Sequence, residues 1–213
     1  MSMTKTAPFN EQASDYDAWF EKHRDLYLAE LEAVRSFIPA TGNGVEIGVG
    51  TGRFALPLGI PIGIEPSPQM AEQARQRGIK VLESFAEALP FVDDCFDFAV
   101  MVTVVCFLED VAQAFREAFR ILKLNGTLVI GFIDRESELG RQYSQKKEQS
   151  RFYREASFYS VSEVETQLTA AGFSNFAFRQ TLLPDENTDL IIREGHGRGG
   201  FVVIKAHKNA PLV

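Results

Sequence analysis

Cysteine is scarce in this chain. Cys95 and Cys106 are the only two; they are too few for a disulfide framework and show no CxxC spacing, so both read as free thiols. Histidine is equally thin: His23, His196 and His207 are scattered and make no metal constellation, so no metal is expected. Nowhere do about 18 apolar residues run uninterrupted, and the opening MSMTKTAPFN lacks the apolar run of a signal peptide. A cytoplasmic protein with no membrane contact is the expectation. Positive charge is in deficit as well, with 22 Lys and Arg against 29 Asp and Glu for a net charge of −7. No broad field attracts phosphate backbones, which argues against nucleic acid as the main partner.

What is present describes an ordinary globular chain. Its 213 residues, 45% hydrophobic and 24% charged, suffice for one well-buried domain and are too few for two typical ones. The one excess is phenylalanine, at 18 residues, which favours a well-filled core and an aromatic-lined pocket.

Taken in order, the chain alternates between helical and strand patterns. After a loose leader of about ten residues, positions 11–37 place Tyr16, Trp19, Phe20, Tyr27, Leu28, Leu31 and Val34 at helical spacing, with Ser14 or Asp15 as cap. A Thr-Gly-Asn-Gly turn then leads into the first strand. PIGIEPS reads as a second strand ending at Glu65; Ser67 and Pro68 start the next helix and Gly78 stops it. IKVLE is a third strand, and FAVMVTV a fourth, apolar throughout and suited to burial on both faces. Asp110 caps VAQAFREAFRILK, and Asn125-Gly126 turns into TLVIGFI, the fifth. This alternation predicts α/β architecture, a parallel sheet with helices on both faces. Residues 134–159 break the pattern, polar and aromatic, and predict an inserted helix or lid. A capping box at Ser160 and Glu163 opens one more helix. NFAFRQTLL and GGFVVIKAHK close the chain as strands six and seven, joined by a charged loop at 184–199.

The chemistry is concentrated in VEIGVGTGRFA, residues 45–55. A short strand runs into Gly48, Gly50 and Gly52 at alternate positions and then into a helix-compatible segment. Glycine lets a ligand lie against the main chain, and the N–H groups of a first helical turn point at it. A dinucleotide fingerprint needs GxGxxG; here the spacing is GxGxG, with Arg53 in place of the third glycine. That argues against an NAD-dependent oxidoreductase. Glu65, at the end of strand two, can accept both hydroxyls of a ribose. Turn and acid together describe a nucleoside site.

Four stretches in this order, VEIGVGTGRF, GIEPSPQMAEQAR, AEALPFVDDCFDFAV and LEDVAQAFREAFRILKLNGTLVIGF, resemble the class I S-adenosylmethionine-dependent methyltransferases, in their small-molecule, type 11-like branch. The resemblance implies a Rossmann-like, doubly wound sheet of seven strands, mostly parallel with an antiparallel last strand. It implies one methyltransferase domain over residues 1–213, with cap helices at 11–37, a cofactor-binding core at 43–133 and a lid over the acceptor site at 134–159. S-adenosyl-L-methionine is the implied cofactor. Carried onto this sequence, Gly48, Val49, Gly50, Thr51 and Gly52 pass against its methionine part, with Glu46 beside the amino group. Glu65 and Pro66 hold the ribose, Met70 packs near the adenine, Ala86 and Glu87 line the adenine edge, and Val102 and Thr103 lie under the sulfonium. The chain departs from the family pattern at Phe85, where relatives often carry an acid, and at Cys106, where many have histidine.

The reaction implied is an in-line SN2 displacement to an O, N or C atom of a small-molecule acceptor. The protein's part is chiefly alignment, so no catalytic triad is required. The segments that cover the pocket in the family offer Tyr16 and Trp19 from the N-terminal helices, and Asp134, Arg135, Tyr143, Phe152 and Tyr153 from the insert. Their rings suit a sulfonium, because π faces attract cations. Two other readings keep the glycine site: a non-catalytic S-adenosylmethionine-binding protein, and an RNA methyltransferase using Lys146, Lys147, Arg151 and Arg154. A solvated helix face explains that basic run more economically.

Overall fold

The computed structural model describes residues 7–184 and 191–209. Among the described residues eight strands form one sheet: β1 (Gly44–Ile47), β2 (Ile62–Ile64), β3 (Lys80–Leu82), β4 (Phe96–Val102), β5 (Leu122–Ile133), β6 (Phe173–Thr181), β7 (Arg193–Glu194) and β8 (Phe201–Lys208). They lie in the order β3-β2-β1-β4-β5-β8-β6-β7. The first five pair in parallel, and β8 runs antiparallel to both β5 and β6. The parallel sheet and antiparallel last strand are as expected; the count of seven is corrected to eight. Arg193 and Glu194 pair with Gln180 and Arg179 across the charged loop. Both are exposed, so no apolar period marks them in the sequence. Residues 185–190 of that loop, like residues 1–6 and 210–213, lie outside the described residues.

The sheet is covered on both faces. Helices α6 (Val111–Ile121) and α8 (Val161–Ala170) pack Phe115, Ala118, Val164 and Leu168 against Ile47, Ala99, Met101 and Ile130. On the other face, α2 (Ala13–Lys22), α3 (Arg24–Arg35) and α5 (Pro68–Gln76) bring Phe20, Val34, Ala71 and Ala74 against Phe98, Val100, Val102 and Val129. Strand β4 therefore serves both cores through simple alternation, which is why it reads as one apolar run. The remaining α-helices among the described residues are α1 (Ala7–Glu11), α4 (Ala55–Leu58) and α7 (Glu138–Lys146). None of the helices among the described residues is long and apolar enough to cross a membrane.

The caps read from sequence are present at three helices. Ser67 accepts from Met70 N, Asp110 accepts from Gln113 N at 2.9 Å, and Ser160 and Glu163 close a capping box. At the N-terminus the structure differs. Residues 7–11 form α1 where a loose leader is expected, because the Phe9 ring packs on Phe107 and Phe152 at centroid distances of 4.9 and 5.5 Å. Neither Ser14 nor Asp15 caps α2, which begins at Ala13 and has no side-chain cap. Strand β5 starts before the Asn125-Gly126 turn, directly from the end of α6.

Strand β1 lies between β2 and β4, the point at which the strand order reverses. In open α/β sheets that reversal opens a crevice beyond the carboxyl ends of the strands.

Candidate active site

The loop after β1 fills that crevice and is tied down by its main chain. The amides of Gly48 and Val49 donate to Ile64 O at 2.8 and 2.9 Å, and Gly52 N donates to Val49 O at 2.8 Å. Gly50 N donates to Glu65 Oε2 at 2.9 Å, and Ser67 N donates to Glu65 Oε1, also at 2.9 Å. Glu65 thus clamps the glycine loop to the start of α5. Glu65 is 7% exposed, and burial raises its carboxyl to about 7 despite the two N–H donors. Each oxygen has a further lone pair to offer. Gly50 has φ +55, and a Cβ there would meet nothing closer than Met70 Cε at 3.7 Å. A side chain at that position would enter open space rather than protein.

That space is a cavity of about 780 Å³, counting its mouth. Of the residues the resemblance assigns to cofactor, Gly48, Gly50, Glu65, Pro66, Met70, Ala86, Glu87, Val102 and Thr103 line it, and Phe85 does too. The Glu87 carboxylate is otherwise engaged, accepting from the amides of Glu109 and Asp110 at 3.0 and 3.3 Å. Phe9, Phe107, Leu108 and Glu109 also line the cavity and escaped the sequence reading. The only signal for Phe9 was a bulky ring in an otherwise polar leader.

Four assigned residues do not line the cavity: Glu46, Val49, Thr51 and Gly52. Val49 packs on Gly63, and Gly52 on Ile79 and Ala74 of the α5 region. Glu46 is 1% exposed, and burial holds its carboxyl well above the usual range; it accepts from the Ala55 amide, while Oε2 has no hydrogen-bond partner among the described residues. Thr51 Oγ1 donates to Asp17 Oδ1 at 2.6 Å. Asp17 also accepts from Arg53 Nε and Arg77 Nη2, both at 2.8 Å. Burial would raise the Asp17 carboxyl, but donors from Arg53, Thr51 and Arg77 bring it far below its ordinary value. The residue that breaks the dinucleotide fingerprint, Arg53, thus anchors α2 to the glycine loop.

The arrangement has close counterparts. The methyltransferase domain family matches residues 45–130. A crystal structure of an S-adenosylmethionine-dependent methyltransferase from Thermotoga maritima is 49% identical, covers 96% of this chain and 100% of its own, and superposes with a TM-score of 0.92. An uncharacterized protein of Methanocaldococcus jannaschii is 45% identical over 94% of this chain and 98% of its own length. The chain belongs to the S-adenosylmethionine-dependent methyltransferases.

S-adenosylmethionine is accordingly the cofactor of this methyltransferase, and the residues present fit it. A Cβ at Gly50 would occupy the cavity, Glu65 keeps acceptor capacity facing it, and Ile64, Met70, Phe85 and Leu108 give it apolar walls. At the far end of β4, Thr103 has φ +54, a conformation that costs a β-branched residue of order 1–3 kcal/mol. It is held there by Thr103 N donating to Gly131 O at 2.8 Å, and its hydroxyl is hydrogen-bonded with the Tyr16 phenol. Burial pushes that phenol well up, so Tyr16 stays neutral.

The acceptor-site candidates divide between two places. Tyr16 lines the cofactor cavity, and Tyr153 lines a small adjoining hollow with Thr103 and Cys106. Trp19 and Tyr143 line a separate groove. An aromatic chain joins them: Phe152 lies 5.6 Å from Tyr16, Tyr153 stacks 5.7 Å from Phe107, and Tyr143 meets Tyr153 edge-on at 5.2 Å. Asp134 and Arg135 line none of these spaces. Asp134 accepts from Glu136 N at 3.1 Å as a turn former, and Arg135 pairs with Glu163 at 2.9 Å.

Proposed function

We propose that this methyltransferase transfers the methyl group to an O, N or C atom of a small-molecule acceptor by in-line displacement. The observation that carries this reading is that the mutually packed rings of Phe9, Tyr16 and Phe107 line the cavity, with no Lys or Arg among its described lining residues. A net charge of −7 favours a small acceptor over RNA in the same way. The Thermotoga maritima relative is described as a "possible histamine N-methyltransferase", and a small acceptor here accords with that. Two cysteines in 213 residues, too few for a disulfide framework, accord with action in the cytoplasm.

When bound, S-adenosylmethionine supplies an electrophilic methyl, whose C–S electron pair returns to sulfur as the acceptor's lone pair forms the new bond. Glu65 accepts the ribose hydroxyls, and Gly50 lets the methionine part lie on the main chain. Met70, Ala86 and Phe85 pack the adenine, with Glu87 contributing its backbone. Val102 and Thr103 support the sulfonium side. The second ring of residues, Glu46, Val49, Thr51 and Gly52, shapes the loop from behind. Tyr16, oriented by Thr103, positions the acceptor, a proximity effect that can supply about 7–11 kcal/mol at its upper range. In this reading residues 1–213 work as one unit, with 11–37 as cap, 43–133 as cofactor core and 134–159 as lid.

Calorimetric titration with S-adenosylmethionine, S-adenosylhomocysteine and NAD in parallel tests the cofactor site. Micromolar binding of the first two without NAD is expected. Binding of NAD alone, or of none, would overturn the site assignment.

A further inference from the structure

Helix α3 carries a carboxyl group that methyl transfer as described leaves without a task. Glu30 is 5% exposed. Among the described residues no hydrogen-bond donor or cation is set against it, and burial alone raises it to about 8. A buried acid in that state is costly unless something pairs with it. Glu30 faces the groove lined by Trp19, Gln142 and Tyr143. Two exposed groups of opposite sign, Glu138 and Arg198, also border the groove. Tyr16, Tyr143 and Tyr153 all stand near enough for a charge on Glu30 to act on their phenols.

The groove and the cofactor cavity are neighbours through α2. Tyr16 lines the cavity and Trp19 the groove; at i and i+3 on one helix their Cβ atoms lie about 5–6 Å apart. The cavity wall at Tyr16 and the groove wall at Trp19 are thus about one helical step apart. Its chemistry follows from the walls. Aromatic faces attract cations, and a buried carboxylate repels an anion while gaining its missing partner from an ammonium.

We propose that Glu30 is the acceptor-binding carboxylate, and that the acceptor is a small molecule carrying a protonated amine. The ammonium sits on Glu30 beside the rings of Trp19 and Tyr143, and a separate nucleophilic atom of the same molecule reaches past Tyr16 to Thr103. This rests on the small-molecule methyltransferase reading and narrows it to a substrate class. The amine is held as a cation and is not itself the atom methylated.

The test uses the full chain with and without S-adenosylhomocysteine. Tyramine, histamine and 1,4-diaminobutane are titrated calorimetrically, each beside the alcohol that replaces its amine. The wild type should bind at least one amine about tenfold or more tightly than its alcohol, a 1.4 kcal/mol preference. Glu30→Gln, which keeps size and polarity, should erase that preference. A second readout needs no variant. At about pH 7, below the Glu30 titration near 8, capture of an ammonium ionises the carboxyl and releases a proton. Titrations in two buffers of different ionisation enthalpy measure it. The phenols of Tyr16, Tyr143 and Tyr153 titrate higher and do not contribute. No amine in the panel surpassing its alcohol would overturn the proposal, as would a preference that survives Glu30→Gln. Failure of S-adenosylhomocysteine to bind would instead remove the methyltransferase reading and leave an amine preference standing on its own.

Discussion

Glu65 meets two opposed demands, and its titration exposes the balance. Two backbone N–H donors favour its carboxylate, while 7% exposure favours the neutral acid, and burial prevails to raise it to about 7. Ribose hydroxyls donate best to the carboxylate, so cofactor binding should strengthen as pH rises through 7. If only the ionised form binds, affinity falls up to about tenfold per unit below 7. Titration with S-adenosylhomocysteine at about pH 6 and about pH 8 should show this loss at the acid end, and Glu65→Gln should bind more weakly with a flat profile. A Gln variant that keeps the slope would move the titration to another group. Gly50 gives a sharper outcome. Valine there places a branched side chain in the cavity at a φ that L residues resist, so Gly50→Val should abolish detectable binding while the thermal transition persists. Undiminished affinity would refute the glycine cradle.

At the scale of elements, the sequence showed the strand, the glycine turn and the acid of β2, because each is a local signal within about twenty residues. It did not show how α2 meets them. Asp17 was silent in the sequence, since its partners Thr51, Arg53 and Arg77 lie on distant segments. The same distance hid the role of Phe9 and split the acceptor candidates between cavity and groove. Asp17 and Arg53 are 16% and 18% exposed at their side chains, so solvent screens their pairing less than that of a surface pair. Asp17→Asn should cost about 2–3 kcal/mol, which for a chain of this size is a fall in Tm of about 4–12 °C. S-adenosylhomocysteine affinity should drop with it, because the charge pairing with Arg53 and Arg77 that holds α2 to the glycine loop is lost. Separating Arg35 from Glu32, 43% and 45% exposed, should cost under about 1 kcal/mol by the same thermal scan. Equal costs at the two pairs would mean that α2 is not fastened by Asp17. Because the Asp17 carboxyl lies far below its ordinary value of about 3.8, its contribution is present above that pH and lost as pH falls below it.

Across the whole molecule, the five-strand parallel run was legible because buried central strands are apolar on both faces and helices carry caps, whereas β7 was not, having two exposed residues and no period. What no local pattern announces is the charge sealed inside. Glu30, Glu46 and Glu65 are all at least nine-tenths buried, and each is raised by desolvation. The unfolded chain titrates them near 4.5, so the folded state binds protons more tightly and holds its stability advantage below that pH. That advantage is lost as pH rises through about 7 for Glu65 and about 8 for Glu30. Denaturant unfolding should therefore show stability falling between about pH 5 and about pH 8, opposite in sign to the Asp17 effect and in a separate window. Glu30→Gln should leave stability at about pH 5 little changed and raise it at about pH 8 relative to wild type. A pH-independent difference between the two proteins would mean that Glu30 is not carrying an unpaired proton, and would remove the reason for a cation to seek it.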